Sequence, residues 1–306
     1  MGLCRTTVEK RHNWLGGKKN PMLGHSKNRV RLLLKAAAFV FVTSLVFNAN
    51  GGFLEWAEKR GLLSQPLSML FTYSVPFLLV LFYSYKDSRW VLSEFSSNRV
   101  VNNNQLAIRD LYPFTYFALL LIIPVVLVVS GLLLLENYLL GPLIMRLPIW
   151  KHSNVLEASH PGWMTMIIVA VIAPILEEGL MRGIVLRLLL IAFSVPMAIA
   201  INGILFGLLH LNLRQGVLVI LPGCFFAWLF VRTRSLSLPV VAHALWNLLR
   251  SSFEDAGLAL RVALDSLLGI GLMSKIASIA FALILLLVGF KILSKRLSMN
   301  YAEASR

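Results

Sequence analysis

The sequence predicts an all-α, polytopic membrane protein with about eight transmembrane helices. Three observations predict it. Hydrophobic residues are 58% of the 306, and the mean hydropathy is +0.75. Charged residues are 14%, against about 25% in soluble domains. The apolar residues also fall in repeated runs, several approaching the ~20 residues that a helix needs to cross hydrocarbon. That pattern overrides the two soluble domains that length alone would suggest.

The elements follow in order. Nine Lys or Arg and one Glu lie in residues 1–35, so 1–31 read as a basic tail. It is too long and too basic for a cleaved leader, and the first span reads as a retained signal anchor. Runs at 32–47 and 66–85 give the first two spans. Between them, 55–60 reads as a balanced loop with Trp56 at the interface. The polar stretch 86–110, with Asn102, Asn103 and Asn104, separates the second span from a third at 111–135, which Pro124 should kink. Residues 136–161 read as a connection lying on the membrane surface. Further spans are expected at 162–193, 195–213, 216–231, 236–249 and 276–293, with a mixed, amphipathic connection at 250–271.

The organisation expected is a tail (1–31), N-terminal transmembrane helices (32–160), a core (161–295) and a second tail (296–306). Eight spans put both termini on the basic side, which the positive-inside rule makes cytoplasmic. The net charge of +15 gathers at that face, where it suits anionic lipid. Its distribution argues against nucleic acid. Cys4 and Cys224 allow no disulfide framework. No internal repeat supports an inverted-repeat transporter.

Inside the fourth run stand two adjacent carboxylates, Glu177 and Glu178. An ionised carboxylate at a helix centre costs roughly 2.5 kcal/mol or more in a bilayer, and two side by side repel. Arg182 is four residues from Glu178 and shares its face. Glu177 points about 100° away, so one carboxylate can be neutralised while the other is left for chemistry as a general base. Pro174 has no N–H for the carbonyl of Ala170, which opens the helix one turn before the pair. Two histidines also lie in apolar runs. His210 follows Phe206 by four residues, and His243 precedes Asn247 by four. Glu177, His210 and His243 make an acceptable zinc ligand set, although no HExxH is present. A metal-free alternative has Glu177 deprotonate a water, with His and Asn groups positioning it and stabilising an oxyanion.

EEGLMR at 177–182, FGLLH at 206–210 and HALWN at 243–247 resemble the three motifs of the CPBP family, the CAAX prenyl protease and bacteriocin-processing proteins also called Abi proteins. That family's pattern is EExxxR, FxxxH and HxxxN in this order on successive spans. The resemblance covers about residues 160–250. It implies an endopeptidase with an intramembrane active-site cavity, acting on a lipidated tail, a leader peptide or a membrane-protein segment. By the same resemblance Glu177 is the water-activating base and His210 completes the water or metal site. His243 and Asn247 stabilise the oxyanion, while Glu178, Arg182 and Phe206 support them. A divalent metal such as zinc and a metal-free route both stay open. The expected location is a bacterial plasma membrane. Two other classes fit parts of the pattern: a non-catalytic membrane scaffold, and a proton- or cation-coupled transporter with Glu177 and the histidines as a relay.

Overall fold

The computed structural model describes residues 26–83, 116–144, 163–251 and 272–303. The tail up to residue 25, the polar stretch 86–110, and the connections over 145–162 and 252–271 lie outside the described residues. Eight helices are described: α1 (Ser26–Lys59), α2 (Gln65–Tyr83), α3 (Tyr116–Leu135, continuing to Ile144), α4 (Trp163–Ala192), α5 (Val195–Leu209), α6 (Leu213–Thr233), α7 (237–251) and α8 (Leu272–Glu303). Five of them are long and apolar enough to cross a membrane, and Pro66–Leu79 and Val195–Leu209 are shorter apolar helices. The chain is an all-α, polytopic membrane protein.

Several helices run past the ends that hydropathy suggests. The expected loop at 55–60 is helical through Lys59, whose ammonium bonds Glu55 one turn back at 2.7 Å. The Arg60 guanidinium lies 4.2 Å over the Trp56 ring. Helix α3 does not end at Leu135. It widens into a π-turn, Glu136–Leu140, and goes on to Ile144. Glu136 can stay helical and buried because Arg250 of α7 bonds it.

With little hydrophobic drive between helices in lipid, close packing through small residues takes over. Helices α3 and α8 cross where a Cβ on Gly131 would lie 2.9 Å from the Ala282 carbonyl oxygen and one on Gly289 3.0 Å from that of Pro124. Helices α5 and α6 cross through Gly207 and Gly216, where a Cβ on Gly207 would come within 2.5 Å of the Gly216 carbonyl oxygen. Helix α4 lies against α1, α2 and α5. Its Leu180, Met181, Val185 and Leu189 join Val40 and Phe206 in one buried cluster.

Helix α5 is short. It ends at Leu209, and His210 is its cap. Leu211 turns the chain with φ +47°, and Asn212 starts α6 by accepting the N–H groups of Arg214 and Gln215. The Ser44 hydroxyl donates to the Leu209 carbonyl at 2.9 Å, so α5 stops level with the middle of α1. The expected span 195–213 is thus the helix Val195–Leu209 and the tight turn that leads into α6.

Candidate active site

Helix α4 is built irregularly around the two glutamates. Two π-turns, Ile168–Ile172 and Met181–Val185, flank the regular segment Ala173–Leu180. In the first, the Ala173 N–H reaches back five residues to the Ile168 carbonyl. The next donor in that wider pattern would serve Val169, but residue 174 is a proline and has none. The Asn247 amide donates to the Val169 carbonyl instead, at 2.8 Å. The carbonyl left open is thus Val169's rather than Ala170's, because the π-turn shifts the register by one.

Glu178 is completely buried. Its Oε1 accepts from Arg182 Nη1 at 2.9 Å and from His243 Nδ1 at 2.9 Å. Arg182, equally buried, also donates to the Gly223 carbonyl at 2.6 Å. Its guanidinium lies 5.0 Å over the Phe206 ring and 5.5 Å over the Phe226 ring. Glu177 is 8% exposed. Its Oε2 has no hydrogen-bond partner and stands 3.8 Å from His243 Nε2. The helical offset between the two glutamates therefore does what the spacing predicts: one is tied to Arg182, the other is left open.

Phe206 does more than fill space. Its ring meets His210 edge-on at 5.2 Å and His243 edge-on at 5.5 Å, while Phe226 stacks on His243 at 5.1 Å. His210 Nδ1 bonds the Phe206 carbonyl at 3.0 Å. Glu177, Glu178, Arg182, Phe206 and His243 are brought together around one point. His210 meets the Phe206 ring edge-on, and Asn247 stands one turn beyond His243 on the same helix, against Val169.

Several residues outside the expected set complete the neighbourhood. Gly223 gives Phe206 room, since a Cβ there would meet its ring at 2.9 Å. The mid-span pair Pro222–Gly223 was the available signal. Asn202 of α5 donates to the Met181 carbonyl at 3.0 Å, one turn before Phe206 in an extended NxxxFxxxH spacing. Tyr73 of α2 stands edge-on to Phe47 at 5.3 Å. Arg250 stands one turn beyond Asn247 and bonds Glu136 of α3. Nothing in the sequence singles out Tyr73 or Ser44.

Residues 159–249 match the family model described as type II CAAX prenyl endopeptidase Rce1-like. The matched stretch is under a third of the chain. A stretch of 93 residues, 30% of this chain, is 31% identical to the protein named "Putative membrane peptidase YdiL" of Bacillus subtilis (strain 168), and the chain spans 38% of that relative's length. No solved structure matches the chain. The matched stretch contains all seven expected site residues, and it includes Asn202 and Gly223. Ser44 reaches it from α1, outside the matched stretch.

The zinc set expected from sequence was Glu177, His210 and His243. Among the described residues no three His, Cys, Asp or Glu side chains are arranged to hold a metal ion. Glu177 and His243 approach to 3.8 Å, while the His210 ring meets Phe206 edge-on.

Proposed function

We propose that this chain is an intramembrane endopeptidase that hydrolyses a peptide bond with a water activated by Glu177. The observation that carries the reading is the unequal treatment of the two carboxylates. Glu178 Oε1 is bonded by both Arg182 and His243, while Glu177 takes no side-chain hydrogen bond and stands 3.8 Å from His243 Nε2. A buried carboxylate with no hydrogen bond is costly in a bilayer and marks function. Glu177 takes a proton from the water as its oxygen attacks the scissile carbonyl carbon. The carbonyl oxygen gains negative charge and meets donors from His243 and from the second N–H of Asn247, whose first is held by Val169. The proton then passes to the leaving nitrogen as the C–N bond breaks, giving a carboxylate and an amine. His210 positions the water.

The family description and the relative's name support a peptidase acting at a membrane. We assign the substrate to lipidated tails, leader peptides or membrane-embedded segments. The test compares membrane-peptide profiles, by mass spectrometry, from cells carrying the wild-type chain or Glu177→Gln. Peptides cut only with wild type are expected. Identical profiles from two well-folded proteins would sink the proposal.

A further inference from the structure

Asn202 is completely buried in a helix of a membrane-spanning bundle. Its Nδ2 donates to the Met181 carbonyl at 3.0 Å, yet its Oδ1 has no hydrogen-bond partner. A half-satisfied amide in an apolar interior is less stable than a leucine of similar size would be. Nor does the Met181 carbonyl need the bond, because the Leu186 N–H already donates to it. Stability alone gives no reason for this side chain.

Its place gives one. Met181 opens the second π-turn of α4 and immediately precedes Arg182, which grips Glu178. On α5, Phe206 and His210 follow Asn202 at four-residue intervals, so all three share a face. Asn202 cannot retreat, since neighbouring Gly203 is pressed onto α6: a Cβ there would lie 2.3 Å from Cys224 Sγ and 2.9 Å from the Ile220 carbonyl oxygen. A π-turn is an easily altered element, common at functional sites. Tightening it to α geometry turns everything on one side of it by about 100° relative to the other.

We propose that Asn202 is a positioning residue: by clamping the Met181–Val185 turn it sets the carboxylate helix α4 in register with Phe206 and His210 on α5. Asn247 holds the other π-turn through Val169, so the eight-residue segment Ala173–Leu180 is pinned at both ends by an amide from a different helix. The two clamps bring the base on α4 and the histidines on α5 and α7 into one geometry. Misplacing reacting groups by an ångström costs on the order of a hundredfold in rate, so removing one clamp is expected to show in turnover.

This inference rests on the peptidase reading. The test uses the full-length protein in detergent and an internally quenched peptide copied from the first cleavage site that the wild-type and Glu177→Gln profiles distinguish. Asn202→Leu is expected to lower kcat about tenfold or more while KM stays within about twofold. The thermal midpoint should be unchanged or higher. Asn202→Ser, whose hydroxyl can donate to the Met181 carbonyl, should recover part of kcat. An unchanged kcat in folded Asn202→Leu overturns the inference. So does a loss traced wholly to folded yield, with normal kcat per folded molecule. Cleavage that survives Glu177→Gln overturns the peptidase reading and this inference with it. Loss at Glu177 with none at Asn202 overturns this inference alone.

Discussion

Arg182→Ala should cripple folding rather than chemistry, and the structure sets the size of the effect. Glu178 and Arg182 are both completely buried and 2.9 Å apart. Removing one partner of such a pair costs about 3–5 kcal/mol, because the other charge is stranded. Arg182 also gives up its bond to the Gly223 carbonyl and its place over two aromatic rings. Hydrogen bonds to charged groups contribute about 1.5–3 kcal/mol, although these losses do not simply add. Set against a total stability of about 5–15 kcal/mol, the substitution removes a large share. The assay is fluorescence-detected size exclusion of detergent-solubilised protein, with thermal unfolding of whatever remains folded. Arg182→Lys should fall between wild type and Ala: an ammonium can reach Glu178 but lacks the planar fork that also reaches Gly223. Glu178→Gln combined with Arg182→Leu should recover stability relative to Arg182→Ala, since no charge is left stranded. Wild-type yield and midpoint in Arg182→Ala would refute this reasoning. Normal yield with lost cleavage would move Arg182 into the chemistry.

Three further outcomes are expected. Pro174→Ala supplies an N–H for the Val169 carbonyl and competes with Asn247, so it should leave the thermal midpoint equal or higher while cleavage falls. Gly207→Ala places a Cβ 2.5 Å from the Gly216 carbonyl oxygen and should cost about 1–3 kcal/mol of unfolding free energy, whereas Gly179→Ala meets nothing within 4 Å and should gain up to about 1 kcal/mol. In the Glu136–Arg250 pair the side chains are 8% and 29% exposed, so Arg250→Leu, which strands the buried carboxylate, should lower the thermal midpoint more than Glu136→Leu, which leaves a cation able to reach solvent; the reverse order would remove the pair from the structural account.

How much of this was legible in the sequence depends on range. The spans were legible because a bilayer demands long apolar runs. Their ends were not, because hydropathy treats a charged residue as an exit from the membrane. Glu55 and Lys59 pair within one helix, and Glu136 finds Arg250 from 114 residues away, so the helices continue through them. The break after His210 carries no Gly or Pro to announce it: Leu211 adopts φ +47° and Asn212 restarts the helix. Within the site, contacts inside one helix could be derived. The i, i+4 pairing of Glu178 with Arg182 and the separate heading of Glu177 both follow from 100° per residue. Contacts between helices could not. That Asn247 answers a carbonyl opened by Pro174, and that Gly223 is empty so Phe206 and Arg182 can approach, depend on packing that no spacing encodes.

The hydrogen bonds on the two histidines constrain the chemistry further. His210 Nδ1 faces the Phe206 carbonyl and His243 Nδ1 faces Glu178 Oε1. A carbonyl can only accept, and so can a carboxylate already bonded to Arg182. Each ring therefore carries its proton on Nδ1 when neutral, leaving a bare Nε2 on the side of Glu177 for His243. A bare nitrogen cannot stabilise an oxyanion. His243 becomes a donor there only when it holds both protons, and the Glu178 carboxylate is placed to balance that charge. Glu178 then has two partners for two reasons: Arg182 makes its burial tolerable, and its bond to Nδ1 orients the His243 ring. Nitrogen-15 spectra of protein labelled in its histidines, read at a pH where the rings are neutral, should show the Nδ1–H tautomer for both. Assignment is by comparison with His210→Gln and His243→Gln. An Nε2–H tautomer for His243 would mean that it donates to the oxyanion without first gaining a proton, and would reduce Glu178 to an ion partner for Arg182.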